Sequence, residues 1–216
     1  MRGIIHKCPT ELHKAFMEYA IRFFEENGCK GLVKGSLYKD TAHAFSDIDL
    51  VIKRMDQKTV EDFICNFGEV ALVSRTQRPV GIIIVIYCNG LCLDLDFRDK
   101  VTKEEIEEAD AIGSAFEESD IADSLKRCED ILESDEADSW KSMQRLFHRS
   151  LIKWLGGKRE LGYSILYEIV DFLKEEKVSL PELTGDYKDD LEAVLEAFNR
   201  RYPLNEKYAS VIRELL

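Results

Sequence analysis

Histidine and proline are both scarce in this sequence, four of each in 216 residues, and the histidines are scattered. The six cysteines, at positions 8, 29, 65, 88, 92 and 128, include no pair with CxxC spacing. Structural zinc needs such pairs, so a zinc site is not expected, and the thiols read as small, reduced core residues. A long hydrophobic run is missing as well. The longest, Gly81–Tyr87, falls far below the ~20 residues that a membrane-spanning helix requires. Residues 1–10 hold no continuous apolar stretch of the secretory kind, so a cytoplasmic protein without a membrane anchor is expected.

Positive charge is in deficit, with 30 Lys and Arg against 42 Asp and Glu, a formal net charge of -12. The deficit has a location. Residues 103–138 contain 15 acidic and three basic residues, which leaves the rest of the chain neutral on balance. A groove that tracks phosphates shows the opposite bias, so a long nucleic-acid ligand is disfavoured. The acidic run reads either as a solvated face or as a wall that attracts a cationic small substrate.

What is present is enough apolar material, 45% of residues, for one large core or two modest ones. Residues 10–27 predict an amphipathic helix, with Leu12, Phe16, Tyr19, Ala20, Phe23 and Phe24 on one stripe and Asn27-Gly28 as its stop. Residues 31–34 form a short strand candidate that runs into Gly35-Ser36. Residues 47–53 alternate as a second strand, 56–67 predict a helix, and 69–74 a third strand. The apolar runs 80–88 and 91–97 flank Asn89-Gly90, the strongest short-range hairpin signal. Thr102 and Glu105 have capping-box spacing and open helical sequence.

Beyond that point no further strand is expected. Met143, Leu146, Phe147, Leu151 and Trp154 share a helical face that Gly156-Gly157 ends, and 161–173 is apolar on several faces, as an inner helix of a bundle is. Leu191, Val194, Leu195 and Phe198 make another stripe, and Tyr208, Val211, Ile212 and Leu215 a last one. Trp140, Trp154, Tyr163 and Tyr167 read as bundle core. The expected class is α+β: a mixed β-sheet domain over residues 1–105, then an all-helical bundle over 106–216.

The chemistry concentrates in residues 35–53 and 91–97. Asp47 and Asp49 are two apart on a predicted strand, so their carboxylates share a face while Ile48 and Leu50 anchor the opposite one. Asp94 and Asp96 repeat the device on the second arm of the hairpin. Adjacent carboxylates repel, and a divalent cation with a preference for hard oxygen ligands, Mg²⁺, is the natural compensator. Arg75, Arg78, Arg98 and Lys100 flank these strands and read individually as surface charge. His43 reads as a solvated loop residue. Arg145 and His148, three apart on a helix, resemble a ribonuclease pair only in spacing.

Gly35-Ser36, the loop after it and Ser46-Asp47-Ile48-Asp49-Leu50 resemble the nucleotidyltransferase superfamily related to DNA polymerase beta, over roughly residues 31–97. The resemblance implies a magnesium-dependent enzyme that uses ATP or another nucleoside triphosphate. Gly35, Ser36 and Ser46 are then nucleotide-binding, and Asp47 and Asp49 metal-binding. The third acid is Asp94 or Asp96, with hairpin spacing favouring Asp94 as the further ligand of a two-metal site. Either acid could take the acceptor's proton. Where many small members carry an Arg-Gly pair, this chain has Lys39-Asp40, which passes the phosphate role to Lys39. A helical second domain is similar to that of the aminoglycoside and lincosamide antibiotic nucleotidyltransferases. This implies transfer of AMP to a small cationic acceptor, hence antibiotic resistance, and is compatible with a homodimer. The alternatives are a toxin- or antitoxin-type enzyme modifying a protein or tRNA, and an inactive nucleotide-binding member.

Overall fold

Two strands whose alternate residues are aliphatic set the frame of the first unit. In β2 (Ile48–Lys53), Ile48, Leu50 and Ile52 are buried, and in β5 (Cys92–Arg98), Leu93, Leu95 and Phe97 are. The computed structural model describes residues 2–75, 81–123, 139–180 and 182–216. Arg78, and the acidic residues between 124 and 138, lie outside the described residues.

The first unit holds described residues up to 87 and from 91 to 123. Its order is α1 (Arg2–His6), α2 (Glu11–Glu26), β1 (Lys30–Val33), α3 (Gly35–Tyr38), β2, α4 (Gln57–Cys65), β3 (Val70–Arg75), β4 (Gly81–Tyr87) and β5. Then come β6 (Val101–Thr102), α5 (Lys103–Glu107), β7 (Asp110–Gly113), a 3-10 turn at Glu118–Asp120, and β8 (Ile121–Ala122). Six strands form one mixed sheet in the order β3-β4-β5-β2-β1-β7; β2 and β5 run parallel, and the other neighbours antiparallel. The Asn89-Gly90 hairpin forms as expected between β4 and β5.

One face of the sheet carries the main core. Phe16, Met17, Ala20, Phe23 and Phe24 of α2, and Phe63 and Ile64 of α4, pack there on the aliphatic residues of β2, β4 and β5. Thr10 caps α2 by accepting the His13 amide, and Asn27 closes it ahead of Gly28. The opposite face bears a smaller cluster of Leu32, Val51 and Val101, and it is the face on which the acids of β2 and β5 project.

The expectation that no strand follows Thr102 is corrected. The capping box at Thr102 and Glu105 forms, but α5 lasts five residues, and β7 then returns to the sheet beside β1. Ile112 is buried in the main core and supplies the apolar reason. The first unit therefore runs well past residue 105.

Asp120 fixes this returning segment. Its buried carboxylate accepts from Lys30 at 2.6 Å and pairs with Lys53 at 2.9 Å, on β1 and β2 respectively. Lys30, then Lys53, hold its pKa well below the usual carboxylate range. A depressed folded pKa means stability present above the unfolded value of about 3.9 and lost as pH falls below it. Asp120→Asn should lower unfolding free energy by about 2 kcal/mol at pH 7, as loss of a charged hydrogen bond does. In urea titrations the difference from wild type should begin to shrink as pH falls below about 4 and should reach zero only below the folded pKa of Asp120.

The second unit holds the turn residues 88–90 and the helices α6 (Ser139–Leu155), α7 (Arg159–Glu175), α8 (Tyr187–Arg201) and α9 (Glu206–Leu215). Most residues of its expected stripes are buried, among them Phe147, Leu151, Ile169, Leu173, Leu195, Phe198 and Ile212. Met143 and Leu215 are only half-buried, and His148, Ser150, Tyr187 and Asp190 join the core from outside the stripes. At the α6–α7 contact a Cβ on Gly162 would lie 2.8 Å from that of Trp154, so only glycine allows this approach. Tyr167 is not core; it is exposed on α7. Trp154 is half-buried and stacks on Tyr187 at 4.7 Å between ring centroids. Among the described residues no helix is long and apolar enough to cross a membrane.

Candidate active site

The sheet register is what assembles the site. In the parallel pairing of β2 with β5, Asp49 stands opposite Asp94 and Val51 opposite Asp96. Residues paired in this way project on the same face, so Asp49 and Asp94 are side by side, both half-buried. Asp47, also half-buried, is the residue immediately before β2.

Gly35 lies against this pair. The chain leaves β1 through the Lys34 amide, which donates to the Asp49 carbonyl at 3.0 Å, and turns into the single-turn helix α3. Gly35 takes a φ of +64°, and a Cβ placed on it would lie 1.8 Å from Asp49 Oδ2. Glycine is required twice here, for its dihedral and for the carboxylate it touches. The next residue, Ser36, has a buried hydroxyl with no hydrogen-bond partner. A buried polar atom left unpaired is costly, and such atoms mark places where a missing partner belongs.

The two acids of β5 have different surroundings. Asp96 is buried, and its Oδ2 accepts from Arg98 Nε at 2.8 Å and also from Nη2. Arg98 continues to Glu105, which also takes Lys34 Nζ at 3.2 Å. Burial opposes the charge on Glu105, yet the Thr102 amide, Arg98 and Lys34 together hold its carboxyl below the usual range. Arg98 is therefore no surface charge, as the sequence suggested, but the centre of a half-buried chain of ions. Asp96 Oδ1, by contrast, is buried without a partner.

The remaining expected residues separate from this centre. Lys39 is exposed at the C-cap of α3. Ser46 is buried, and its hydroxyl accepts the His43 amide at 2.9 Å, so it shapes the loop from inside. His43 is half-buried and accepts the Phe45 amide at 3.2 Å, which gives it a loop-forming part as well. Of the nine acids in residues 103–123, Glu104, Glu107, Glu108, Glu118 and Asp123 are exposed, and the other four are tied into the unit. Glu105, Asp110, Glu117 and Asp120 each pair with a lysine of the same unit, and Glu105 with Arg98 besides.

Sequence reasoning missed His13. It is buried on α2, and its ring reaches the loop before Asp47, with Nε2 2.9 Å from the Ser46 carbonyl. Burial pushes its pKa down. No protein-family model matches the chain, no curated protein matches it, and neither does any solved structure.

Among the described residues no group of three or more His, Cys, Asp and Glu side chains is arranged to hold a metal ion. The carboxylate pair still suits magnesium. That ion keeps several waters and binds through one or two carboxylates together with substrate phosphates, not in an all-protein cage. Hard oxygen donors abreast, a glycine whose missing Cβ leaves room for the Asp49 carboxylate and an unpartnered hydroxyl on the residue after that glycine fit a magnesium–phosphate group.

Proposed function

We propose that the chain is a magnesium-dependent nucleotidyltransferase that moves a nucleoside monophosphate, AMP in the simplest case, from its triphosphate to a hydroxyl of a small acceptor. The observation that carries this reading is the Asp49–Asp94 register pair with left-handed Gly35 packed on Asp49. The register sets two carboxylates abreast, and the chain beside one of them is a glycine whose Cβ would collide with it. Phosphate chemistry has a use for both.

Asp49 and Asp94, with Asp47 ahead of them, would hold the ion, which when bound neutralises charge on the phosphates and the departing pyrophosphate. The rest is done by the chain itself. Gly35 lets the backbone approach the triphosphate, and the Ser36 hydroxyl donates to a phosphate oxygen. Asp94 takes the acceptor's hydroxyl proton as that oxygen bonds to the α-phosphorus. The bond from the α-phosphorus to the bridging oxygen breaks, and pyrophosphate leaves. Asp96 is a poorer choice for the base, since Arg98 occupies one oxygen and the other is shielded from solvent.

A small acceptor agrees with the charge of the chain, which does not suit a long nucleic acid. The cationic nature of the acceptor is supported by charge alone: Glu105, Asp110, Glu117 and Asp120 are paired with lysines, while Glu104, Glu107, Glu108, Glu118 and Asp123 are exposed. The test is incubation with α-labelled ATP and magnesium over a panel of aminoglycosides, lincosamides, tRNA and proteins. Label is expected on a small hydroxyl compound, in wild type and not in Asp49→Asn. Equal labelling by the two proteins, or transfer that persists in excess chelator, would overturn the reading.

A further inference from the structure

Residues 43–46 close on themselves: the Ser46 amide donates to the His43 carbonyl at 2.9 Å, and the Ser46 hydroxyl accepts the His43 amide at 2.9 Å. This turn still needs an anchor to the rest of the unit, and His13 Nε2 provides one at 2.9 Å from the Ser46 carbonyl. A carbonyl oxygen can only accept, so Nε2 carries the proton. At the ring's other end Nδ1 lies 2.7 Å from the Thr10 hydroxyl, which itself accepts the His13 amide at 3.3 Å. The Thr10 hydroxyl thus has its own proton to give to Nδ1. One neutral tautomer satisfies every partner, and the ring is held from both ends in a buried place.

The consequence falls on Asp47. The Ser46 carbonyl and the Asp47 amide belong to one planar peptide unit, so a bond that fixes the oxygen fixes the plane from which Asp47 departs. We propose that His13 is a positioning residue: it locks the Ser46–Asp47 peptide and so aims the Asp47 carboxylate at the site formed by Asp49 and Asp94. This extends the nucleotidyltransferase reading and rests on it for the role of Asp47. It gives α2, otherwise a core helix, a direct hold on the reacting end of the sheet.

The test compares His13→Gln, whose side-chain amide can still donate to Ser46, with His13→Leu, which fills similar space and donates nothing. Amide hydrogen exchange at His43 and Ser46 should be about tenfold faster in His13→Leu, the effect of one lost hydrogen bond, and within about twofold of wild type in His13→Gln. Amides of β5 serve as the internal reference and should not change. Mn²⁺ binding to the protein without nucleotide, followed by electron paramagnetic resonance, should weaken about tenfold in His13→Leu and be restored in His13→Gln.

Unchanged loop exchange in His13→Leu, or equal damage in both variants, would overturn the proposal and leave the ring as packing. Should wild type bind no Mn²⁺, the metal reading fails on its own, while the exchange comparison still decides whether His13 locks the loop. If His13→Leu does not fold, Thr10→Val frees the Nδ1 end of the ring and should speed exchange at the same two amides. No change there would also overturn the proposal.

Discussion

Asp94→Asn should slow nucleotide transfer by about a thousandfold, the equivalent of roughly 4 kcal/mol of transition-state stabilisation. The substitution is nearly isosteric and keeps hydrogen-bonding capacity, so what it removes is the negative charge next to Asp49. That charge matters to any cation held between β2 and β5, and to the proton leaving the acceptor. The fold should tolerate the change, because the amide fills the same space and can still hydrogen-bond. Unfolding free energy should stay within about 1 kcal/mol of wild type.

Asp96→Asn should behave in the opposite sense. Its Oδ2 is bonded to Arg98, and an amide there would leave a half-buried guanidinium with Glu105 as its remaining carboxylate partner. Breaking such a pair costs about 3 kcal/mol, so the variant should unfold at lower denaturant while transfer falls by about tenfold or less. Steady-state transfer and urea unfolding on the two proteins give a crossed pattern. If Asp96→Asn loses more activity than Asp94→Asn, the two acids have been assigned the wrong way round.

Sequence parity alone cannot make that distinction. Asp94 and Asp96 project on the same face of β5 and both lie between apolar residues, so every local rule treats them alike. The deciding residue is Arg98, two further along on the same face, and it reads as surface charge until Glu105 is seen to close on it from α5. Strand period, the Asn89-Gly90 turn and the capping box at Thr102 and Glu105 were legible because each is local physics written within a few residues. The α+β class followed from them. β7 was not legible: Asp110–Gly113 offers one buried aliphatic side chain, Ile112, and its pairing with β1 depends on contacts some eighty residues back in the chain. The pairing of Asp49 with Asp94 is non-local in the same way. His13 was hidden for another reason, since a histidine one position beyond Leu12 on an amphipathic helix is indistinguishable from a boundary residue until its ring is traced to Ser46.

Gly35→Ala is expected to separate folding from function more sharply than any change of a carboxylate. Two effects act at this position. Alanine at a φ of +64° carries a left-handed penalty of about 1 kcal/mol, which is felt by stability alone. The added methyl would also lie 1.8 Å from Asp49 Oδ2 and 2.7 Å from its Cγ, so the carboxylate must swing away. The side chain is short, and the neighbouring strand holds its backbone through the Lys34–Asp49 hydrogen bond. Rotation of the Asp49 side chain about Cα–Cβ is therefore the cheapest relief, and it takes the carboxylate from its place beside Asp94. Gly28→Ala is the control, because Gly28 has the same φ of +64° and no atom within 4 Å of its added Cβ. Both variants should lose about 1 kcal/mol in urea unfolding. Transfer should survive in Gly28→Ala and drop by about a thousandfold in Gly35→Ala, together with Mn²⁺ binding. Equal activity in the two variants would show that the space beside Asp49 is not used, and the case for phosphate chemistry at this sheet would fall with it.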